Sequence, residues 1–173
     1  NTENVTNVLE KTDIFENQNQ IDEAFKSELD NKYPLENALI VVNPYGTSPL
    51  SAVAVFSTEE ETGGTITAIV GNIESAKDHI VPIYGLYNGD TTTVEISLED
   101  GEKSSFEVTT EKTEMDYGDV KMEIFDEANY DYSNLSFLCS TMGSVYAVDG
   151  AGDIRFYTDM GGSLGVHFLA NGH

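Results

Sequence analysis

From residue 50 to residue 56 the chain reads Leu50-Ser51-Ala52-Val53-Ala54-Val55-Phe56, with one small hydroxyl as its only polar side chain. Successive side chains of a strand point to opposite faces, so a strand formed here buries both of them. That places it in the middle of a layered β structure, with apolar cover above and below. Its approach, Asn43-Pro44-Tyr45-Gly46-Thr47-Ser48-Pro49, is a dense set of turn formers.

The flanking sequence supplies candidate cover and candidate neighbours. Between 19 and 31, Ile21, Ala24, Phe25 and Leu29 fall on one helical face, and Pro34 stops the helix soon afterwards. Such an amphipathic helix needs a surface to cover. Residues 38–42 are a compact apolar run beside the turn block. Glu59-Glu60-Glu61-Thr62-Gly63-Gly64 reads as an exposed turn, and residues 65–70 as a strand with Ile66, Ala68 and Val70 inward. Residues 79–84 read as a shorter strand that begins at an exposed His79. Pro82 confines that strand to a sheet edge or a bulge.

Two hairpins are legible further on. Val94, Ile96 and Leu98 alternate with Thr93, Glu95, Ser97 and Glu99 ahead of Asp100-Gly101, and Phe106 and Val108 point inward beyond it. A two-residue Asp-Gly turn would set Phe106 opposite Glu95, mixing charge and core on one face. A three-residue loop with a left-handed Gly101 avoids this; centred on Gly101, it pairs Ile96 with Phe106 and Val94 with Val108. The second hairpin flanks Gly150-Ala151-Gly152, where a turn centred on Ala151 pairs Val148 with Ile154 and Tyr146 with Phe156. Between the hairpins, residues 110–131 are crowded with Asp and Glu and read as a linker with one short strand at 120–125. After the second, Gly161-Gly162 makes another turn and residues 166–169 another short strand. Short strands at this spacing favour an antiparallel sandwich, and the last unit reads as the start of a β-propeller blade.

Charge excludes several functions. Eight Lys and Arg stand against 31 Asp and Glu, a net charge of −23. Nucleic-acid binding depends on cations that release phosphate counterions, and an anionic membrane would be repelled in the same way. No stretch is long and apolar enough to span a bilayer. The chain starts without Met or a signal peptide, which reads as a processed or trimmed form.

Few residues invite a chemical role. Cys139, the single cysteine, lies in the apolar run Leu135-Ser136-Phe137-Leu138-Cys139 and reads as a buried structural thiol. His79, His167 and His173 have no metal-site spacing. His167, between Val166 and Phe168, suits a partly buried, hydrogen-bonded place. Arg155, the only arginine, reads as a salt-bridge partner of Asp149, Asp153 or Asp159, with an anion contact as the alternative. Asp149-Gly150-Ala151-Gly152-Asp153 lacks the alternating ligands and distal Glu of an EF-hand, so its Asp and Gly read as turn formers. Tyr45, Tyr84 and Tyr87 fit interface anchoring and core packing equally. No catalytic, cofactor-binding or metal residue is expected in this chain, and no cofactor.

Three blocks, in order, resemble the bacterial aryl-sulfate sulfotransferase family. They are Asn43-Pro44-Tyr45-Gly46-Thr47-Ser48-Pro49-Leu50; Val81-Pro82-Ile83-Tyr84-Gly85-Leu86-Tyr87 with Thr92-Thr93-Val94; and Gly152-Asp153-Ile154-Arg155-Phe156-Tyr157. The terminal Asn171-Gly172-His173 is similar to a later part of the family's first propeller blade. Phe156 stands where many relatives would carry Trp. The resemblance implies an enzyme that moves a sulfuryl group from a phenolic sulfate ester to a phenol, through a sulfated histidine in a six-bladed propeller. That histidine would come from blades downstream of residue 173, and no position here matches it. A strongly negative domain would also repel an anionic sulfate ester, which suits scaffold better than active site.

The expected fold is therefore mostly β: an N-terminal amphipathic helix, an antiparallel Ig-like β-sandwich, then the first strands of an incomplete β-propeller blade. Expected boundaries are 1–34 for lead-in and helix, 35–112 for the sandwich, 113–132 for the acidic linker and 133–173 for the start of the propeller. The expected role is the scaffold or dimerisation part of an exported, periplasmic or cell-surface sulfotransferase, inactive alone, in a precursor that carries a lipid anchor or none. A homodimer is expected, with residues 133–173 paired or swapped between copies at their open strand edges. Phenolic sulfate and phenol would be partners of the full-length enzyme only. The rival reading is an extracellular Ig-like binding or adhesin module with no enzymatic parent.

Overall fold

Ile14–Glu28 form helix α1, and its apolar stripe settles where β2 is covered. In the computed structural model, which describes residues 14–67, 71–112, 114, 135–139 and 144–159, Ile21 and Phe25 pack on Val53 and Val55, with Ala24, Leu29, Leu39, Val41 and Tyr45 around them. The helix runs into a 3-10 turn, Leu29–Asn31, closed by Lys32 in the left-handed region (φ 51°). A second such turn, Leu35–Asn37, follows Pro34 and buries Leu35.

Five strands then build one antiparallel sheet: β1 (Leu39–Val42), β2 (Ser51–Ile66), β3 (Gly71–Tyr84), β4 (Thr91–Leu98) and β5 (Lys103–Thr109). β2 is long enough to serve two layers. Its first half lies between β1 and β3, with Val53 opposite Val41 and Pro82. Its far end lies between β3 and β4, with Ile66 opposite Gly71 and Ile96. The sheet curls around one core: Ala52, Ala54, Phe56, Val81 and Ile83 meet Ile66, Val94, Ile96, Leu98 and Val108. Alternation explains the division of labour along β2. Ala52, Ala54 and Phe56 face this core while Val53 and Val55 face the helix, so residues 51–56 are buried on both sides.

Residues 59–64 are strand, not turn. The ladder between β2 and β3 shifts register from Ser57 to Thr62 and again from Thr62 to Gly64, and the intervening Glu59, Glu60 and Glu61 stay exposed in the bulge. A bulge adds residues and twist to one strand, which lets the hairpin bend from one layer to the other. The glycines serve close approach: a Cβ at Gly64 would run into the Ser97 carbonyl oxygen. The strand expected at 65–70 accordingly ends at Ile66, and Ala68 and Val70 lie outside the described residues.

The β4–β5 hairpin has the expected three-residue loop and a left-handed Gly101 (φ 100°). It is centred on Asp100 instead of Gly101, since Leu98 donates to the Glu102 carbonyl at 2.8 Å. Val94 therefore faces Phe106, Ile96 faces Ser104 and Thr92 faces Val108. The displacement is two residues, so the inward face survives. Pro82 sits on β3, which pairs among the described residues with β2 alone, as its missing N–H requires.

A second, three-stranded antiparallel sheet contains β6 (Ser136–Cys139), β7 (Ser144–Val148) and β8 (Ile154–Asp159). Val148 faces Ile154 as expected, but Tyr146 faces Tyr157 and Ala147 faces Phe156. One residue of β8 has no opposite number at the shift, and it is Arg155. The linker strand at 120–125, the turn at 161–162, the strand at 166–169, His167 and His173 lie outside the described residues, as does the Cys139 side chain.

Candidate functional site

The described part of the chain brings its polar groups together most closely where the two sheets meet, around Arg155. A bulge bends its strand and re-aims the residue that it leaves unpaired. Here it sends the guanidinium across to the loop that follows β3. Nε and Nη2 of Arg155 donate to the Gly85 carbonyl at 2.9 and 2.6 Å, and Nη1 donates to the Tyr87 hydroxyl and to Asp149 Oδ2 at 3.0 Å each. The guanidinium carbon also lies 3.9 Å from the centre of the Tyr87 ring. Arg155 and Asp149 are 12 and 5% exposed, so this ion pair is desolvated, unlike the other three that join described residues.

Each side of the joint is built locally. Asp149 heads the β7–β8 turn, where its Oδ1 accepts the N–H groups of Ala151 and Asp153 at 2.9 and 3.0 Å. Those bonds hold the carboxylate in place before Arg155 arrives. Opposite, Gly85 takes a left-handed φ of 81°, and Leu86 is anchored by its N–H to the Leu50 carbonyl. Tyr87 donates its N–H to Thr92 Oγ1, and its carbonyl accepts the Thr110 hydroxyl, which in turn accepts from the N–H of Gly89. Two threonines, Thr92 near the start of β4 and Thr110 just past the end of β5, thus fix the loop that receives the arginine. Aromatic contacts extend the seam: Tyr84 meets Phe156 edge-on at 6.5 Å, and Phe156 meets Phe137 at 6.0 Å.

The expected site residues fall out as follows. Arg155 makes a salt bridge with Asp149, one of the three acids weighed for it. The stretch 149–153 is a turn whose Asp caps backbone N–H groups, and no cluster of metal-ligating side chains occurs among the described residues. Tyr84 and Tyr87 pack at the joint. Tyr45 instead ties the turn block to α1, donating to Asp22 at 2.7 Å; burial and then that carboxylate push its hydroxyl to a higher pKa.

His79 is not exposed, contrary to expectation. It is 3% exposed and stacks on Phe56 across the ladder, with ring centres 4.5 Å apart and planes 18° apart. The signal was available in the spacing: His79 precedes Val81 and Ile83 by two and four residues, the inward face of β3. Burial lowers its pKa, against a smaller raising effect from its hydrogen bond to the Ala76 backbone. A neutral ring enclosed in the core cannot reach a substrate. Of the three histidines, only this one lies in the described residues.

The joint binds protein to protein: all three guanidinium nitrogens are engaged. Its chemistry is that of a clasp. No helix among the described residues is long and apolar enough to cross a membrane. No curated protein matches the chain. The family model of the arylsulfotransferase Ig-like domain matches residues 39–118, beginning at the first residue of β1 and covering all of β1–β5. Both α1 and the sheet that carries Arg155 lie outside the match.

Proposed function

We propose, from the premise that residues 39–118 are the N-terminal Ig-like region of an arylsulfotransferase, that this chain is the scaffold of an exported enzyme. That enzyme transfers a sulfuryl group from a phenolic sulfate ester to a phenol. The family match carries the reading. In it, residues 133–173 begin the catalytic propeller, and the Ig-like domain braces that beginning through the Arg155 clasp. Two observations support a bracing role: the clasp is desolvated on both partners, and the loop receiving it is tied to the ends of β4 and β5. The net charge of −23 further favours scaffold over a site that must attract an anionic ester.

The test is to assay sulfuryl transfer from an aryl sulfate to a phenol with this chain and with the full gene product. The chain is expected to be silent and the full product active. Transfer by the chain alone would remove the scaffold role. Silence of both, across a panel of donors, would favour a binding module with no enzymatic parent. Homodimerisation belongs to the same proposal, and light scattering reads it: a clean monomer would contradict it.

A further inference from the structure

We propose that His79 is an acid-sensitive latch on the corner of the β2–β3 hairpin, and that its protonation opens the bulge at residues 57–62. The corner is where the hairpin leaves one layer of the sheet for the other. Its ladder is broken there, because the pairing jumps from Ser57–Asp78 to Thr62–Ala76. His79 spans the break. Its ring stacks on Phe56, the last inward residue of β2 before the bulge, and hydrogen-bonds the backbone of Ala76, the first residue of β3 beyond it. Its Nε2 is buried with no hydrogen-bond partner, so a proton added there would find no acceptor. A charge in that position must regain water, and the weakest route lies through the broken ladder.

The charges around the ring do not relieve this. On its own strand, Asp78 is the carboxylate that acts on it, and Asp78 is held below its usual pKa first by Lys32 and then by Ser57. Lys32, from the turn after α1, meets Asp78 at 2.7 Å and so partly cancels it. On the facing strand, Glu59 and Glu60 stand in the bulge, where Lys77 donates to the Glu59 carbonyl and approaches the Glu60 carboxylate at 3.5 Å. From β4 and β5 the buried residues are Thr92, Val94, Ile96, Leu98 and Val108, none of them titratable.

The direction of the pH effect follows from where the proton binds. An unfolded histidine takes its proton near pH 6.5, and the buried ring takes it only at lower pH. Below that pH the unfolded chain binds more protons, so the His79 contribution lowers stability as pH falls and vanishes above about pH 7.5. Bulk acidification has the opposite tendency here, since it relieves the self-repulsion of a strongly acidic chain. The latch is therefore read as a difference from a variant that cannot be protonated.

The experiment compares thermal unfolding of the whole chain and its His79→Phe variant from pH 8 to pH 5, with His79→Gln as a second variant. Phenylalanine keeps the stack on Phe56, and glutamine keeps a donor for Ala76. The wild-type midpoint is expected to fall relative to both variants by a few degrees, on the order of 2–4 °C, with the change confined below pH 7. Hydrogen-exchange protection at residues 57–62 and 76–79, referred to the intrinsic rate at each pH, should fall on acidification in the wild type and not in the variants, while β4 and β5 stay protected. The ring resonances of the unmodified chain should report His79 titrating below 6.5. Parallel midpoint curves, uniform exchange, or a His79 titration at or above 6.5 would each overturn the latch.

Discussion

Two seams join added elements to the curled sheet, and they differ in whether a directional contact is added to apolar cover. The seam under α1 is apolar: Ile21 and Phe25 against Val53 and Val55, all essentially without solvent exposure. The seam to β6–β8 also buries apolar groups, Val148 and Ile154 joining the core of the sheet, but adds an ion pair: an arginine against a carboxylate, a carbonyl and a phenol. Apolar contact is non-directional and scales with area, so the helix gains adhesion without being told its angle closely. A planar guanidinium with fixed donor directions does the reverse. A desolvated ion pair adds little net stability against an apolar replacement of the same volume, but it penalises every misplacement. The helix seam holds; the arginine seam also orients. A brace of the kind proposed above needs the second kind.

The largest expected effect breaks the apolar seam. Phe25→Ala removes a fully buried ring and should cost about 3–5 kcal/mol, read by chemical denaturation of the whole chain. Exposure of Val53 and Val55 should follow as dye binding. If the loss is under about 1 kcal/mol, the helix is not an integral cover of β2.

Arg155→Met comes next and tests orientation. It leaves Asp149 buried without its cation, and breaking such a pair costs about 3–5 kcal/mol. The lower end is expected, near 3 kcal/mol, because Ala151 and Asp153 still donate to Oδ1. Hydrogen exchange should show β6–β8 losing protection while β1–β5 keep theirs. The paired change Arg155→Met with Asp149→Leu should recover much of the stability and none of the fixed geometry, which residual dipolar couplings would report as a loosened angle between the sheets. Full recovery of both would mean that the clasp does not orient anything.

Sequence patterning reaches the apolar seam more readily than the polar one. The 50–56 run demanded cover on both faces, and α1 carried a stripe that needed a surface; each implied the other through periodicity alone. Gly101 and the Arg155–Asp149 pair were legible for similar reasons, since a hairpin parity or a lone arginine among acids leaves few choices. What escaped was set by bulges. Glu59 to Gly64 has the composition of a turn, and only the approach of Ser97 to Gly64 shows that its glycines serve packing. The bulge at Arg155 displaced the Tyr146 pairing by one residue, and no turn chemistry at 150–152 encodes it. His79 was hidden by its neighbours in sequence, charged Asp78 on one side and a half-exposed Ile80 on the other, although its partner across the ladder is a core phenylalanine.

The smallest effect sharpens the comparison most, because it separates the two contributions of one residue. Tyr87→Phe keeps the ring 3.9 Å beneath the guanidinium and deletes only the hydroxyl that accepts from Nη1. That nitrogen retains Asp149 Oδ2 at 3.0 Å, so no charged donor is stranded. The cost should be about 0.5–1 kcal/mol, the net value of one replaceable hydrogen bond. Tyr87→Leu removes the ring face as well and should cost a further increment of about 1 kcal/mol for the lost cation–π contact at a desolvated site. If the two variants are equal in denaturation, the ring contributes nothing as a π surface. Orientation then rests on directional hydrogen bonds, to the Gly85 carbonyl, the Asp149 carboxylate and the Tyr87 hydroxyl, and not on the ring face.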